Sequence, residues 1–387
     1  MSEKLTIAFY SDSFLPAQDG VVSSILNFRM ELQRRGHDVY LFTSGNGKTR
    51  QMAGKDDKLF IAKSIKFNKY PQYNFALLPY FRNVNEINFD VIHAHTPFFM
   101  GFSALMTSKL NMIPITGTFH TMFTEKTVIE EYVSSNRMVG SMITKYAWSY
   151  ARFFYNRCNR VTAPTETIKK VLEKNGIHGA DVVPNSVDID RFSPKVDGSA
   201  VKAKLLKKKD SAIVLYVGRL SKEKQLDTLL HAMSHLKGKP IEAVIVGAGP
   251  AESYYRSMAK RLKLPNVTFA GFASNAELPG YYAASDVFCI PSIFETQGIV
   301  SLEAMACGKP VVGADFLALG ELIKDGKNGE KFSPGDSVDC ARKIEKVINN
   351  IGSYNTMRKT ASGFSIERAT DRLLNTYKKA IDRMTVS

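Results

Sequence analysis

Apolar residues along this chain alternate between two periods. Short runs rich in β-branched and aromatic residues, such as LTIAFY, HDVYLFT and DVIHAH, are separated by longer stretches of helical spacing, such as VVSSILNFRMELQRRG and GFSALMTSKLN. That alternation predicts βαβ units built around a parallel sheet. It lapses in the lysine-rich stretch SPKVDGSAVKAKLLKKKD, which reads as a solvated helix start. It then restarts with AIVLYVG, KEKQLDTLLHAMSHLKG, IEAVIVG, NVTFAGF, DVFCIPS and PVVGA. The expected fold class is therefore α/β, with two tandem doubly wound Rossmann-like domains and a cleft between them. In PNSVDIDRFSP, Pro and Asx residues break both periods, which predicts domains at 1–190 and 191–365. The last segment, IERATDRLLNTYKKAIDRM, has helical spacing, and residues 366–387 are expected to pack back on the first domain.

A chain of 387 residues that is 44% hydrophobic and 23% charged can fill two cores, which excludes disordered, collagen-like and coiled-coil classes. The four cysteines are scattered without a CxxC pair, so neither a disulfide framework nor a structural zinc site is expected, and a cytoplasmic location follows. The start, MSEKLTIAFYSDSF, lacks the continuous apolar core of a signal peptide. The longest uncharged stretch, Val91 to Ser108, includes His93, His95 and Pro97 and reads as a strand and a helix rather than a membrane span. With 52 Lys+Arg against 37 Asp+Glu the net charge is +15, which calls for an anionic partner: nucleic acid, a phosphorylated small molecule or an acidic membrane. No RRM, KH, zinc-finger or homeodomain pattern supports nucleic acid.

In open α/β sheets ligands bind beyond the carboxyl ends of the strands, so the loops there are the candidates for chemistry. In YVGRLSKEKQLDTLL, Arg219 and Lys224 lie five residues apart between a strand and a helix. A planar donor fork beside a mobile point charge suits a diphosphate, although a plain strand-to-helix turn fits the loop as well. In PSIFETQGIVSLEAMACGKPVVGA, Glu295 lies on a loop and Glu303 on the helix that follows. A carboxylate at Glu303 can accept both hydroxyls of a ribose, and one at Glu295 can bind a second polyol. The amides of Thr296, Gln297, Gly298 and Ile299 open the helix towards a phosphate. Capping or surface roles are the alternative for either glutamate.

Glu295 and Glu303 with seven residues between them, followed by EAMACGKPVV, occur together with GRLSKEK, VGAGP, PNVTFAGF and PNSVDIDRF. In this combination and order, nearly the whole chain resembles the retaining glycosyltransferases of family 4, which have the GT-B fold. DGV, HTPFFMG and TFHTMF most resemble the branch that glucosylates glycerolipids such as diacylglycerol. The resemblance implies hexosyl transfer from a nucleotide-diphosphate sugar, with UDP-glucose the favoured donor, to a lipid hydroxyl. It also implies that Arg219 and Lys224 hold the diphosphate, Glu303 the ribose and Glu295 the sugar hydroxyls. Gly20, after the first strand, would let donor phosphate or sugar approach, although Asp19 stands where many relatives carry a first glycine. His120, after the strand IPITGTF, resembles the family histidine that contacts the donor sugar; a lone histidine after a strand is more often a satisfied structural residue, and it is the resemblance that favours the donor contact. His93 and His95 are expected to line the acceptor cleft.

A front-face substitution, in which the leaving phosphate oxygen takes the acceptor's proton, is implied in place of a carboxylate nucleophile, for which only Asp19 offers itself. Asp188-Ile189-Asp190 has metal-binding DxD spacing but sits in a linker, where Asx-turn chemistry accounts for it. No metal and no resident cofactor are expected, the nucleotide sugar being a substrate. The segment 138–160, with Trp148, Lys145, Arg152, Arg157 and Arg160, reads either as a core helix or as a basic aromatic helix on an anionic membrane, and 66–83 repeats its composition. The expected place is the cytoplasm, peripheral on the inner face of the cell membrane. A GDP-mannose-dependent enzyme acting on a soluble sugar or a polyprenol-linked glycan is the main alternative, and a UDP-sugar epimerase of the same fold is a further one.

Overall fold

A computed structural model of the chain describes residues 4–17, 19–45, 47–67, 70–76, 84, 86–124, 137–208 and 210–385. The chain divides into two compact units, one formed by Met1–Ser186 with Ile366–Ser387 and the other by Val187–Ser365.

In the first unit the strands are β1 (Thr6–Ser11), β2 (Asp38–Gly45), β3 (Leu59–Phe67), β4 (Tyr70–Ala76), β5 (Val91–Ala94), β6 (Ile115–Thr118), β7 (Arg160–Ala163) and β8 (Ala180–Val182). Among the described residues they form one sheet in the order β4-β3-β2-β1-β5-β6-β7-β8, parallel throughout except that β4 runs antiparallel to β3. Every residue of β5 and β6 is buried, as befits central strands covered on both faces. The helices are α1 (Gly20–Arg34), α2 (Gly47–Ala53), α3 (Phe99–Asn111), α4 (Arg137–Tyr155) and α5 (Glu166–Lys174). The strand order reverses between β1 and β5, the point where such sheets open a crevice at their carboxyl ends.

In the second unit β9 (Ala212–Val217), β10 (Ile241–Val246), β11 (Val267–Gly271), β12 (Val287–Ile290), β13 (Val311–Ala314) and β14 (Gly329–Phe332) pair in parallel in the order β11-β10-β9-β12-β13-β14. The reversal here lies between β9 and β12. The helices are α6 (Ser199–Leu205), α7 (Leu226–His235), α8 (Glu252–Arg261), α9 (Leu278–Ala284), α10 (Ile299–Ala306), α11 (Leu317–Leu322), α12 (Ser337–Asn349) and α13 (Met357–Ser362). The lysine-rich stretch forms α6, whose Lys202 pairs with Asp286 at 3.3 Å. All four cysteines are free and buried.

The C-terminal helix Ile366–Thr385 belongs to the first unit. Ala369, Leu373 and Tyr377, spaced by four, are fully buried against Ile7 and Phe9 of β1 and Val22 and Ile25 of α1. Ion pairs Arg35–Asp371 (2.6 Å) and Lys379–Asp181 (2.7 Å) flank that face.

α4 corrects the membrane reading of Trp148. Its indole is half-buried against the core and stacked with Phe119 at 6.2 Å, while Ala151, Phe154 and Tyr155 are buried beside it. Apart from Ala76, the side chains of 66–83 lie outside the described residues. Among the described residues no helix is long and apolar enough to cross a membrane.

Candidate functional site

In the second unit the loops that carry chemistry leave β9 and β12, the two strands at the reversal. After β9 the chain makes a 3₁₀ turn, Lys222–Lys224, and Gln225 adopts a left-handed conformation (φ 48°) before α7 begins. Arg219 and Lys224 thus sit on a folded loop ahead of the helix and not on the helix itself. The loop is pinned from beneath: Tyr216 Oη donates to the Arg219 carbonyl (3.0 Å) and Tyr255 Oη to the Ser221 carbonyl (3.0 Å). Gly247, after β10, lies so close that a Cβ there would fall 1.9 Å from the Gly218 carbonyl oxygen. Only glycine lets the two loops abut in this way.

After β12, Glu295 reaches across to this loop, and Lys224 Nζ donates to its Oε1 at 2.7 Å. The pair is mostly shielded, with the Lys224 side chain 28% and the Glu295 side chain 14% exposed. Thr296 and Gln297 lead to Gly298, whose φ of 80° lets it cap α10, so that Ile299 begins the helix. A Cβ on Gly298 would sit 2.9 Å from Leu319 Cδ2. Glu303, one turn further on, accepts a hydrogen bond from Tyr282 Oη at 2.7 Å. Burial raises its carboxyl to about 7, against the opposing pull of the Tyr282 hydroxyl and the Arg191 charge. The structure therefore brings together Lys224, Glu295 and the loop of Arg219, and places Glu303 on the helix that Gly298 starts.

In the first unit α1 begins at Gly20. Its N-cap, Asp19, accepts from Val22 N at 2.9 Å and, on its other oxygen, from Ser13 Oγ at 2.9 Å. The Asp19 carboxylate is thus committed to the helix start, the position in which N-cap aspartates are stabilising. His120 lies two residues beyond β6 and is buried. Its Nε2 is 3.1 Å from His95 Nδ1, the two rings are stacked, and the side chain of Asn185 also bonds it. Burial pushes the His120 imidazole down to about 4 and holds His93 and His95 well below the ordinary histidine range. All three are neutral at pH 7.

His93 differs from its expected place. It is fully buried between Tyr377 Oη (2.7 Å) on the C-terminal helix and Thr118 Oγ1 (2.6 Å) on β6, so it is a core residue and lines no cleft. The reason is packing: His93 and His95, two residues apart, share one face of the sheet with their rings stacked at 3.9 Å, and the C-terminal helix sets Tyr377 against His93. At Asp188-Ile189-Asp190, Asp188 Oδ1 accepts from the backbone amides of Asp190 (3.1 Å) and Arg191 (2.9 Å), an Asx turn. Among the described residues no group of three or more His, Cys, Asp or Glu is placed to hold a metal ion.

Two family models divide the chain between them. One described as Glycosyltransferase Family 4 matches residues 18–191, and one described as Glycosyl transferases group 1 matches residues 198–363. The chain belongs to glycosyltransferase family 4. Relatives of this glycosyltransferase include a sulfoquinovosyl transferase of Arabidopsis thaliana, 29% identical over 86% of the chain and 64% of the plant protein. An alpha-monoglucosyldiacylglycerol synthase of Acholeplasma laidlawii is 27% identical over 92% of both chains. A GDP-mannose-dependent alpha-mannosyltransferase of Corynebacterium glutamicum is 28% identical over 84% of the chain and 76% of its own length. Among solved structures, HepE of Anabaena, in complex with UDP and glucose, superposes with a TM-score of 0.74 at 20% identity over 97% of the chain and 99% of its own. The sucrose-phosphate synthase of Thermosynechococcus elongatus gives 0.76 at 18% identity over 98% and 100%. These likenesses establish the GT-B fold of the glycosyltransferase.

Tyr282, Arg191, Asn185 and Asp12 join the candidate sites of the glycosyltransferase without having been singled out as site residues from the sequence, and His95, expected to line the acceptor cleft, joins them through its contact with His120. Asp12 follows β1, is buried, and accepts from Thr96 Oγ1 (2.5 Å) and Met100 N (3.0 Å), while burial lifts its carboxyl to about 6. Its only sequence signal was its position after the first strand. The others come from distant chain positions with no shared motif.

Proposed function

We propose that the protein moves a glucosyl residue from UDP-glucose to a hydroxyl of a membrane glycerolipid of the diacylglycerol type, with retention of anomeric configuration. The observation that carries this is the ion-paired Lys224 and Glu295, joined from the two loops at the β9/β12 reversal of a family 4 chain. Arg219, Lys224 and the amides of Thr296 to Ile299 receive the diphosphate, Glu303 the ribose and Glu295 the sugar hydroxyls. Gly20 allows close approach to the donor, and neutral His120 hydrogen-bonds its sugar.

The departing diphosphate accumulates charge, and fixed cations and helix amides aimed at it lower the barrier without reorganising at the moment of reaction. The C1–O bond to the diphosphate breaks on the face where the acceptor oxygen bonds, and the leaving phosphate oxygen accepts the acceptor's proton. Arg219 and Lys224 fill the place a divalent cation would take, so neither a metal nor a resident cofactor is required. The lipid acceptor is supported by the relative named as a monoglucosyldiacylglycerol synthase, which matches 92% of this chain.

The test is incubation of the purified protein with UDP-glucose and diacylglycerol, with and without EDTA, and analysis of the product's anomer. An α-glucosyl lipid formed equally in both is expected. A β-linked product would remove retention, and activity abolished by EDTA and restored by magnesium would remove metal independence. GDP-mannose is the second donor to try, since a mannosyltransferase is 28% identical over 84% of the chain. Mannosyl transfer to a soluble or polyprenol-linked acceptor, with no glucosyl lipid formed, would replace the reading.

A further inference from the structure

His95 and His120 follow β5 and β6 at the carboxyl end of the first unit's sheet. His95 Nδ1 is 3.1 Å from His120 Nε2, and the ring planes are 13° apart. A neutral imidazole has one N–H donor and one bare nitrogen. Two neutral rings in this contact therefore share a single proton, and one of them is its donor. The choice decides which nitrogen of His120 carries hydrogen, because a neutral ring that accepts on Nε2 holds its proton on Nδ1.

Burial decides between the two arrangements. Were His120 the donor, His95 would accept on Nδ1 and carry its own proton on Nε2. Among the described residues that Nε2 is buried with no hydrogen-bond partner. The rings packed on His95 supply none. Phe9, at 4.6 Å, has no polar side-chain atom, and both nitrogens of His93, stacked at 3.9 Å, are already bonded to Tyr377 and Thr118. A buried N–H with nothing to receive it costs its full desolvation, and in folded proteins it is rarer than an acceptor left bare. His95 thus donates from Nδ1, and its Nε2 is the bare nitrogen.

We propose that His95 is a positioning residue: its Nδ1–H donates to His120 Nε2 and fixes His120 as the Nδ1–H tautomer, whose one N–H is the donor offered to a sugar oxygen. The inference rests on the reading above in which His120 meets the donor sugar. In water a neutral histidine favours the proton on Nε2, so the fold selects the less common form. Asn185, whose side chain bonds the same ring, is a second restraint on it. An imidazole held from two sides meets the sugar already oriented, and the reaction spends nothing on turning it.

The first test is a long-range ¹H–¹⁵N correlation spectrum of the full chain labelled with ¹⁵N-histidine, the His120 signal being assigned by its loss in His120→Gln. A proton on Nδ1 of His120 is expected; a proton on Nε2 would overturn the proposal. The second test compares His95→Asn, whose amide nitrogen stands where Nδ1 stood, with His95→Phe, which keeps a ring and removes the donor. His95→Phe should lower kcat with UDP-glucose by about tenfold to a hundredfold, while UDP affinity by calorimetry and circular dichroism stay native. His95→Asn should restore turnover to within about threefold of native. Native turnover in His95→Phe, or a loss in His95→Asn as large as in His95→Phe, would refute the positioning role. If His95→Phe does not fold, the native spectrum and His95→Asn still decide the matter. Absence of any glucosyl transfer by the native protein would refute the proposed reaction, whereas the tautomer read from the native spectrum tests the His95–His120 bond independently of it.

Discussion

Lys224 and Glu295 show how a residue's role is set by its partner. The two are 71 positions apart, and their pairing at 2.7 Å places a cation and a carboxylate side by side in one partly shielded spot. Lys224→Ala is expected to lower kcat by about 10²–10³-fold, the scale for losing one donor to developing charge. Its thermal midpoint should move little, because an ion pair that still reaches solvent on the lysine side contributes about 0–1 kcal/mol; a turnover within twofold of native would refute the role. Glu303 carries a pH dependence. Its carboxyl lies at about 7 in the fold against an ordinary 4.5, so between those values the unfolded chain has released a proton that the native site keeps. Stability from this group is full below pH 4.5 and is lost as pH rises through 7. Glu303→Gln should therefore show a shallower fall in thermal midpoint from about pH 5.5 to 8 than the native protein, and equal slopes would count against the shift. His120, at about 4, is depressed, so its contribution is present above the ordinary 6.5 and fades as pH falls towards 4. No His120 inflection is expected in kcat between about pH 6 and 8, and an inflection that His120→Gln abolishes would contradict a neutral imidazole.

At the scale of elements, the sites depend on how helices and loops begin. α10 starts at Gly298 because only a residue tolerant of positive φ, with no Cβ to meet Leu319, turns the chain there. Gly298→Ala is expected to cost about 1–2 kcal/mol of stability and to weaken UDP binding, as calorimetry would show; native affinity would mean that the amides at this helix start do not hold phosphate. Gly247→Ala should act similarly by displacing the Gly218–Arg219 turn. These elements were largely legible in the sequence, since apolar period and Gly/Pro punctuation follow from local backbone sterics. The left-handed Gln225, which ends the turn of Lys224 before α7, was not legible, because an ordinary residue at φ 48° is imposed by what surrounds it.

At the scale of the whole molecule, the C-terminal helix contributes buried Ala369, Leu373 and Tyr377 to the core of β1 and α1 and bonds His93 through Tyr377. Removing residues 366–387 should leave the first unit unable to fold, seen as lost cooperative unfolding and rapid proteolysis; a truncated chain with native circular dichroism and midpoint would show that the helix is dispensable. The sequence by itself determined the α/β alternation, the family motifs and the loops that bear Arg219, Lys224, Glu295, Glu303 and His120, because periodicity and turn chemistry are local. Only the tertiary structure decided that His93 faces Tyr377 while His95 meets His120, that Trp148 turns inward while Phe102 and Met106 stay outside, and that Tyr282 holds Glu303. Those outcomes join residues far apart in the chain, and which of two apolar or imidazole side chains is buried depends on the neighbour that packing supplies, which no local pattern encodes.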